Sequence, residues 1–582
     1  MKRKLTHRTS DRRATVLLMV LVVIVLLSLA AYTFVAMCIA ENEASNRFGR
    51  AAQARAFAES GIDMAVTLLS DPAERLQPDF ATNRQDVLAG VLMKQSDVAR
   101  GRGRFSVVAP DTNDASSKNV RFGMIDESGK LNLNTLVAKQ LDDATTRNFL
   151  LNLPYMTNDL ADAILDWIDA DDTARQYGVE SDYYTSLSPP YRAANGPLQS
   201  LDELLLVKGI TPSLLYGEDL NRNGIMDPGE DVNGDGYFDR GWSAYLTVSS
   251  AERNVQQDGT SRINVNQQSL PELYDQLAGA LGDKQAQYIV AYRLAGPAST
   301  GSNSNSNSRG GGGGSGGGGS GGGRSGSGSS GGGGTGSGSS SMTTSSSTSS
   351  ASGSGGGGGG SSGGGSSGGG GRTPRGANNG QTVQRGGLNL PMPPSTGNTT
   401  VKSIYQLIGG SVSTTVNGRR TTLTSPFSSS QNQVATYLPD MLDKLALTDD
   451  VFIKGRINVN TAPIQILLGL PNMTEQMATQ IVAAQGAGGT SQGASAQSPR
   501  ATNAWLVIEG LTTVSTMQQL DPYLTARGDV FRVQSVGFFD DGGPVVRLEA
   551  VIDSAVQPAR ILNLRDLSEL GRGFTHQQLG VP

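Results

Sequence analysis

Cysteine is nearly absent. Cys38 is the single one in 582 residues, and it falls inside an apolar run, so no intramolecular disulfide can brace the fold. Histidine is almost as scarce: His7 and His576, near opposite ends, are the only two. That excludes a His-based zinc cluster and argues against a Ser/His/Asp or Cys/His triad, so an enzyme is not expected. A basic surplus is missing as well. The 47 Lys and Arg are outnumbered by 52 Asp and Glu, a net charge of −5, which is a poor electrostatic match for nucleic acid. Finally, no proline occurs before Pro72, so nothing breaks a helix over the first part of the chain.

What is there begins with Ala14–Ala40, ATVLLMVLVVIVLLSLAAYTFVAMCIA, which carries no charge at all. A bilayer span needs roughly 20 apolar residues, so this run suffices. Lys2, Arg3, Lys4, Arg8, Arg12 and Arg13 precede it with only Asp11 opposing them, a bias that keeps the N-terminus cytoplasmic. The helix pattern then continues without a break through 41–72, with Ala44, Phe48, Ala51, Ala58, Ile62, Ala65 and Leu69 as its stripe and Arg55 interrupting it. The expectation is one long helix, membrane-spanning over 15–40 and an amphipathic stalk over 41–72.

Strand alternation follows at 104–110 and 120–128, and returns only at 529–539 and 545–554, joined by a DDGGP turn. Two hairpins so far apart imply one small antiparallel sheet, its parts in 73–129 and 528–582, interrupted by a large insertion. The insertion is repetitive. KLNLNT (130–135) returns as RINVNT (456–461) and as RINVNQ (262–267). LPYMT (153–157) returns as LPNMT (470–474), LLLVKGIT (204–211) as WLVIEGLT (505–512), and YLT closes both units at 245–247 and 523–525. Matched blocks in one order imply a duplicated domain. The units expected are 130–250 and 401–527, with a partial copy beginning at 251–296. Each has a helix-hairpin-helix character: Thr157 and Thr474 are candidate N-caps, and Gly209 and Gly510 sit where a tight turn between helices needs glycine. Such hairpins often bind DNA. The run Asp159, Asp162, Asp166, Asp169, Asp171 and Asp172 would repel phosphates, and it reads instead as a solvated helix face. Residues 297–400 are dominated by Gly and Ser and cannot bury a core, which predicts a flexible tether.

One stretch carries chemistry. Residues 219–239 read DLNRNGIMDPGEDVNGDGYFD. Asp219, Asn221, Asn223, Asp227 and Glu230 fall at positions 1, 3, 5, 9 and 12 of a calcium loop. Gly224 permits the turn at position 6 and Ile225 offers its carbonyl at 7. Asp231, Asn233, Asp235, the Tyr237 carbonyl and Asp239 start a second loop, whose twelfth position is Trp242, so it needs a ligand from elsewhere. Calcium is the cofactor expected, as a structural ion.

The basic leader directly abutting an apolar helix resembles the type IV pilin and pseudopilin family. That resemblance implies a prepilin leader, 1–14, and a cut by prepilin peptidase between Ala14 and Thr15, with Ala14 where the family usually has Gly. The fifth mature position, usually Glu, is Met19. Lacking that Glu is typical of the type II secretion protein K family, and ESGKLNLNT, ILDWIDADD, the run from Asp182 to Thr211, YLTV and RINVNTAP closely resemble its paired helical domains. The resemblance implies an α+β fold: a long N-terminal helix on a small pilin-like sheet, with an inserted body of two SAM-like units. It further implies a minor pseudopilin at the pseudopilus tip, single-pass in the inner membrane with its bulk periplasmic, and partnered by minor pseudopilins I and J and by secreted proteins. Alternative readings are a DNA-handling protein of a competence-type pilus and an anchored calcium-binding adhesin.

Overall fold

An unbroken helix runs from Asp11 to Ser70, 60 residues in all. The computed structural model describes residues 11–76, 80–111, 114, 116–138, 142–298, 382–392, 397–487 and 500–581. Leader residues 1–10 and all but the ends of the Gly/Ser stretch 297–400 lie outside them. Ala14 and Thr15 fall in the helix backbone. From Val16 to Ile39 the helix is uncovered, and it is long and apolar enough to cross a membrane. Its buried face starts later than the stripe predicts, at Ala54, and continues through Phe57, Ala58, Ile62, Ala65, Leu68 and Leu69. Ala44 and Phe48 are exposed and Ala51 is half-buried, so the first part of the stripe is not in the core. Arg55 does not interrupt the face, because it points outward to Asp566, 2.7 Å away.

This face packs on an antiparallel sheet ordered Val91–Lys94, Gly103–Pro110, Val530–Phe539, Val546–Asp553 and Arg560–Asp566. The long-range pairing expected between the hairpins is present, with Val108 opposite Gln534, and within the C-terminal hairpin Val530 lies opposite Asp553. Two details differ from the sequence reading. The 120–128 strand is split, Val120–Arg121 pairing with Gly103–Pro110 and Ile125–Asp126 with Val530–Phe539. The C-terminal tail adds the edge strand Arg560–Asp566. Helix and sheet approach closely because of glycine: a Cβ on Gly537 would lie 2.0 Å from the Ala54 carbonyl oxygen. Phe105, Val107, Val533, Leu548 and Ile552 fill the helix side, each contributing about 1.5–3 kcal/mol by burial.

The inserted body contains three copies of one unit, not two. In each, the first Asn of the Asn-x-Asn motif lies in a short strand paired in parallel with a closing strand: Leu131–Asn132 with Leu246–Thr247, Ile263–Asn264 with Leu445–Ala446, and Ile457–Asn458 with Leu524–Thr525. The second Asn of each motif clamps the unit shut. Asn134 Nδ2 donates to the Leu198 and Val248 carbonyls, both at 3.0 Å. Asn266 does the same to Val401 and Leu447, at 2.8 and 3.0 Å, and Asn460 to Arg500 and Ala526, both at 3.0 Å. The copy beginning at 251–296 is therefore whole. It takes in 401–447, and the third unit starts at 456, so the expected boundary of 401–527 merges two units. The middle copy was hidden because the 297–400 insert separates its opening strand from its closing one.

Within the first and third units the predicted caps and turns are in place. Thr157 accepts the Leu160 N–H at 3.3 Å, Thr474 that of Met477 at 3.2 Å, and Gly209 and Gly510 have φ of 79° and 75°. The acidic run is only in part a solvated face: Asp159, Asp171 and Asp172 are exposed, and Asp162, Asp166 and Asp169 are buried. Asp162 and Asp166 are fully buried, Asp162 in a two-point pair with Arg147 and Asp166 held by Arg175. Body and sheet meet at Glu127, which is also buried. It accepts from Lys130 and from Arg532 of the sheet, both at 2.9 Å.

Candidate cation-binding loops

The short helix Pro212–Tyr216 ends at Gly217, whose φ of 63° turns the chain into Glu218 and the first loop. Oxygens at alternate positions then fold inward on backbone N–H groups, as the Asp/Asn/Gly spacing dictates. Asp219 accepts from Asn223 at 3.0 Å and Gly224 at 2.9 Å. Asn221 accepts from Asn223, and Asn223 accepts from Ile225. The Nδ2 groups of Asn221 and Asn223 both donate to Asp227, at 2.7 and 2.8 Å. Glu230 closes the loop by accepting the N–H of Leu220 at 3.2 Å and of Asp227 at 2.9 Å. All five predicted side chains are thus brought together. Asp219, Asn223 and Glu230 are buried. Burial, reinforced by the charge of Glu230, pushes the Asp219 carboxyl up to about 6.

The second loop repeats the pattern two-thirds of the way. Asp231 accepts from Gly234 and Gly236, Asn233 from Asp235, and Asp235 from Tyr237. Asp239 turns instead to Gly241, at 2.8 Å. The carboxylate missing at position 12 is supplied by Glu218, which accepts the N–H of Val232 at 3.0 Å and of Asp239 at 3.3 Å. Sequence reasoning missed Glu218 because it precedes the loop rather than following it. The signal was the repeated dipeptide Glu218-Asp219 and Glu230-Asp231.

The first loop is also a clamp. Ile225, whose carbonyl was the predicted ligand, buries its side chain with Val108, Val536, Phe538, Phe574 and Leu579 on the sheet face opposite the long helix. Arg547 donates to the Asn221 and Arg222 carbonyls at 3.0 and 3.2 Å, and Gln534 to that of Arg222 at 2.9 Å. Tyr237 and the second loop are exposed. The donor set of the first loop, three carboxylates and two amides around one turn, has the oxygen chemistry that a hard cation such as calcium takes, but Asp219, Asp227 and Glu230 do not converge within 4.8 Å of one another.

By fold, the molecule is a helix-on-sheet protein with one membrane-length helix among the described residues and a large helical body inserted between sheet strands. Residues 129–216, most of the first unit, match the family model for type II secretion system (T2SS), protein K. Two relatives are type II secretion system protein K of Aeromonas hydrophila and of Pectobacterium carotovorum subsp. carotovorum. The first is 44% identical over 61 residues, 10% of this chain and 18% of the relative. The second is 37% identical over 86 residues, 14% and 26% of the two chains. The chain therefore spans about a fifth to a quarter of the length of these relatives. A solved structure, the GspK-GspI-GspJ complex from the enterotoxigenic Escherichia coli type 2 secretion system, aligns over 90% of this chain and 99% of that one. Its TM-score is 0.28 at 10% identity. Over its first helical unit, the chain is similar to protein K of type II secretion.

Proposed function

We propose that the chain is a minor pseudopilin of the protein K type, acting at the tip of a periplasmic pseudopilus in type II secretion. The observation that carries this reading is the match over 129–216, on a unit inserted between strands of a sheet whose own helix has membrane length. In this reading the helix and sheet are the pilin-like part, and the helical units are SAM-like. The helix anchors the chain once in the inner membrane, N-terminus inside, and its upper half packs with minor pseudopilins I and J. A Glu in hydrocarbon needs a partner charge, which in a pilus is the amine of the next subunit. A tip subunit has no such neighbour, which agrees with Met19 at the fifth mature position.

Calcium has a structural role in this proposal. Asp219, Asn221, Asn223, Asp227, Glu230 and the Ile225 carbonyl would hold one ion, relieving the repulsion of three carboxylates and fixing the clamp between body and sheet. Asp231, Asn233, Asp235, Asp239 and the Tyr237 carbonyl, with Glu218, would hold a second. The chain acts by assembly rather than catalysis, and the exposed acids Asp159, Asp171 and Asp172 of the first hairpin disfavour DNA. The test is to delete the gene in its own host and restore it with a tagged copy. Loss of protein export, with pseudopilins I and J co-purifying on the tag, is the expected result. Normal export in the deletion strain rejects the reading.

A further inference from the structure

Each of the three units opens on a cation two residues ahead of its first motif Asn: Lys130, Arg262 and Arg456. Two of the three have an acid of their own. Lys130 pairs with Glu127 at 2.9 Å, and Thr247 of the closing strand donates to the same carboxylate. Arg456 pairs with Glu252 at 2.8 Å, and Thr525 of its closing strand donates to Glu252 at 2.6 Å. The middle unit keeps the cation and lacks the rest. Its closing strand has Ala446 where the others have threonine, and Arg262 ion-pairs with no carboxylate among the described residues. Arg262 Nε donates to the Asp443 carbonyl at 3.1 Å, and its two terminal nitrogens have no acceptor among the described residues.

Arg262 lines a cavity of ≈ 200 Å³ between the second and third units. The acids near it are already occupied. Glu252 accepts from Arg456 and Thr525, Asp521 from Ser403, Asn503 and Arg456, and Asp443 from Arg527. Donors are in surplus instead. Arg456 Nε and Thr502 Oγ1 are buried without partners among the described residues, both residues line the cavity, and Thr502 is only 7% exposed. Buried polar atoms normally find a partner, so free donors from three residues at one cavity mark a place for an acceptor. Burial, then the charge of Arg527, push the Arg262 guanidinium down to about 10, a penalty that an anion beside it relieves.

The remaining walls are mostly apolar, with Ile404, Leu442, Leu445, Leu447 and Ile453 among them. The volume is below the about 300–1,000 Å³ of drug-sized sites, so the ligand is small. A planar carboxylate also matches the fork of a guanidinium.

We propose that this cavity binds a small organic monocarboxylate, its carboxylate on Arg262, Arg456 Nε and Thr502 and its short apolar tail against the leucines. The ligand gives the middle unit the acid that Glu127 and Glu252 give the other two. The site is independent of how the 219–239 loops and the chain's part in secretion are read.

The test titrates the full chain, in detergent and stripped of metal, with butyrate in a calorimeter against a detergent-matched blank. One butyrate per chain should bind, sulfate should bind more weakly, and neutral butyramide should not bind. Arg262→Gln should weaken butyrate binding on the order of tenfold or more. Thr502→Val should weaken it severalfold and, because Thr502 Oγ1 bonds to nothing, leave the thermal midpoint without ligand unchanged or higher. Four results would each overturn the proposal. One is no butyrate binding at millimolar concentration. The second is butyramide or sulfate binding as tightly as butyrate. The third is butyrate binding indifferent to Arg262→Gln. The fourth is a Thr502→Val midpoint well below that of its parent, which would make the hydroxyl a structural group.

Discussion

Glu218 stands to the second loop as Glu230 stands to the first. Glu230 accepts the N–H groups at loop positions 2 and 9, Leu220 and Asp227, and Glu218 accepts those of Val232 and Asp239, again positions 2 and 9. Each loop is therefore closed by an acid lying next to the first residue of the other. This reciprocity predicts unequal sites, because the first loop is buried against the sheet and the second is exposed. EDTA should lower the thermal midpoint of the full chain, and Ca²⁺ at roughly 10⁻⁴–10⁻³ M should restore it better than Mg²⁺. Glu230→Gln should remove most of that response. Glu218→Gln should remove a smaller part, and Asp239→Asn, whose side chain bonds only to Gly241 among the described residues, less again. A midpoint indifferent to EDTA, with no calorimetric Ca²⁺ binding, would reject the loop assignment.

The Asn clamps yield a second expectation. Asn134, Asn266 and Asn460 each tie two carbonyls from distant segments, so removing one leaves acceptors without donors. An unsatisfied group costs about 1–3 kcal/mol. Asn266→Ala should destabilise the chain by about as much as Asn134→Ala or Asn460→Ala. Urea unfolding of the three variants compares them directly. If Asn266→Ala is neutral while the other two are not, the middle copy is not an equivalent unit.

Local signals were legible and long-range ones were not. Strand alternation at 104–110 and 529–554, the caps at Thr157 and Thr474, and the positive φ at Gly209 and Gly510 depend on a few neighbouring residues. The middle unit depends on a pairing between Ile263–Asn264 and Leu445–Ala446 across the 297–400 insert. Its closing strand also has Ala446 where the other copies have Thr247 and Thr525. Asp162 and Asp166 looked solvated because their partners, Arg147 and Arg175, lie outside the helix that carries them. In the 219–239 loops, spacing picked out five side chains that share one hydrogen-bonded turn, whereas Glu218 lies ahead of that spacing and was marked only by the repeated Glu-Asp dipeptide. The stalk stripe was right in period and wrong in extent, since periodicity cannot say where a helix meets its sheet.

Processing is a third expectation. Six Lys and Arg precede Ala14 within 13 residues, against one Asp, and the apolar run starts at once. Prepilin peptidase should cut between Ala14 and Thr15. N-terminal sequencing of the membrane-extracted chain should therefore begin at Thr15. A start at Met1, or beyond Ala40, removes the pseudopilin reading.

The last expectation concerns pH and two adjacent acids with opposite behaviour. Asp126 accepts the Ser128 N–H at 2.8 Å and Asn458 Nδ2 at 2.6 Å, yet burial outweighs these bonds and pushes it up to about 6. Beside it, burial also opposes the charge of Glu127, but Arg532 and Lys130 overcome it and hold that carboxyl below the usual range. The signs follow from linkage. The folded state protonates Asp126 before the unfolded chain does, so its contribution to stability grows as pH falls from above 6 toward the ordinary carboxylate range. It is lost as pH rises through about 6. The contribution of Glu127 is present above its ordinary value and disappears only in strong acid. Urea midpoints at pH of about 7, 6 and 5 separate the two. Asp126→Asn should reduce the gain on acidification across that window, leaving the part that Asp219 contributes. Glu127→Gln should leave the pH slope intact but lower stability at every point by about 3–5 kcal/mol, since Arg532 and Lys130 then remain buried beside a neutral amide. A Glu127→Gln chain as stable as wild type at neutral pH would mean that the junction between body and sheet does not rest on this pair.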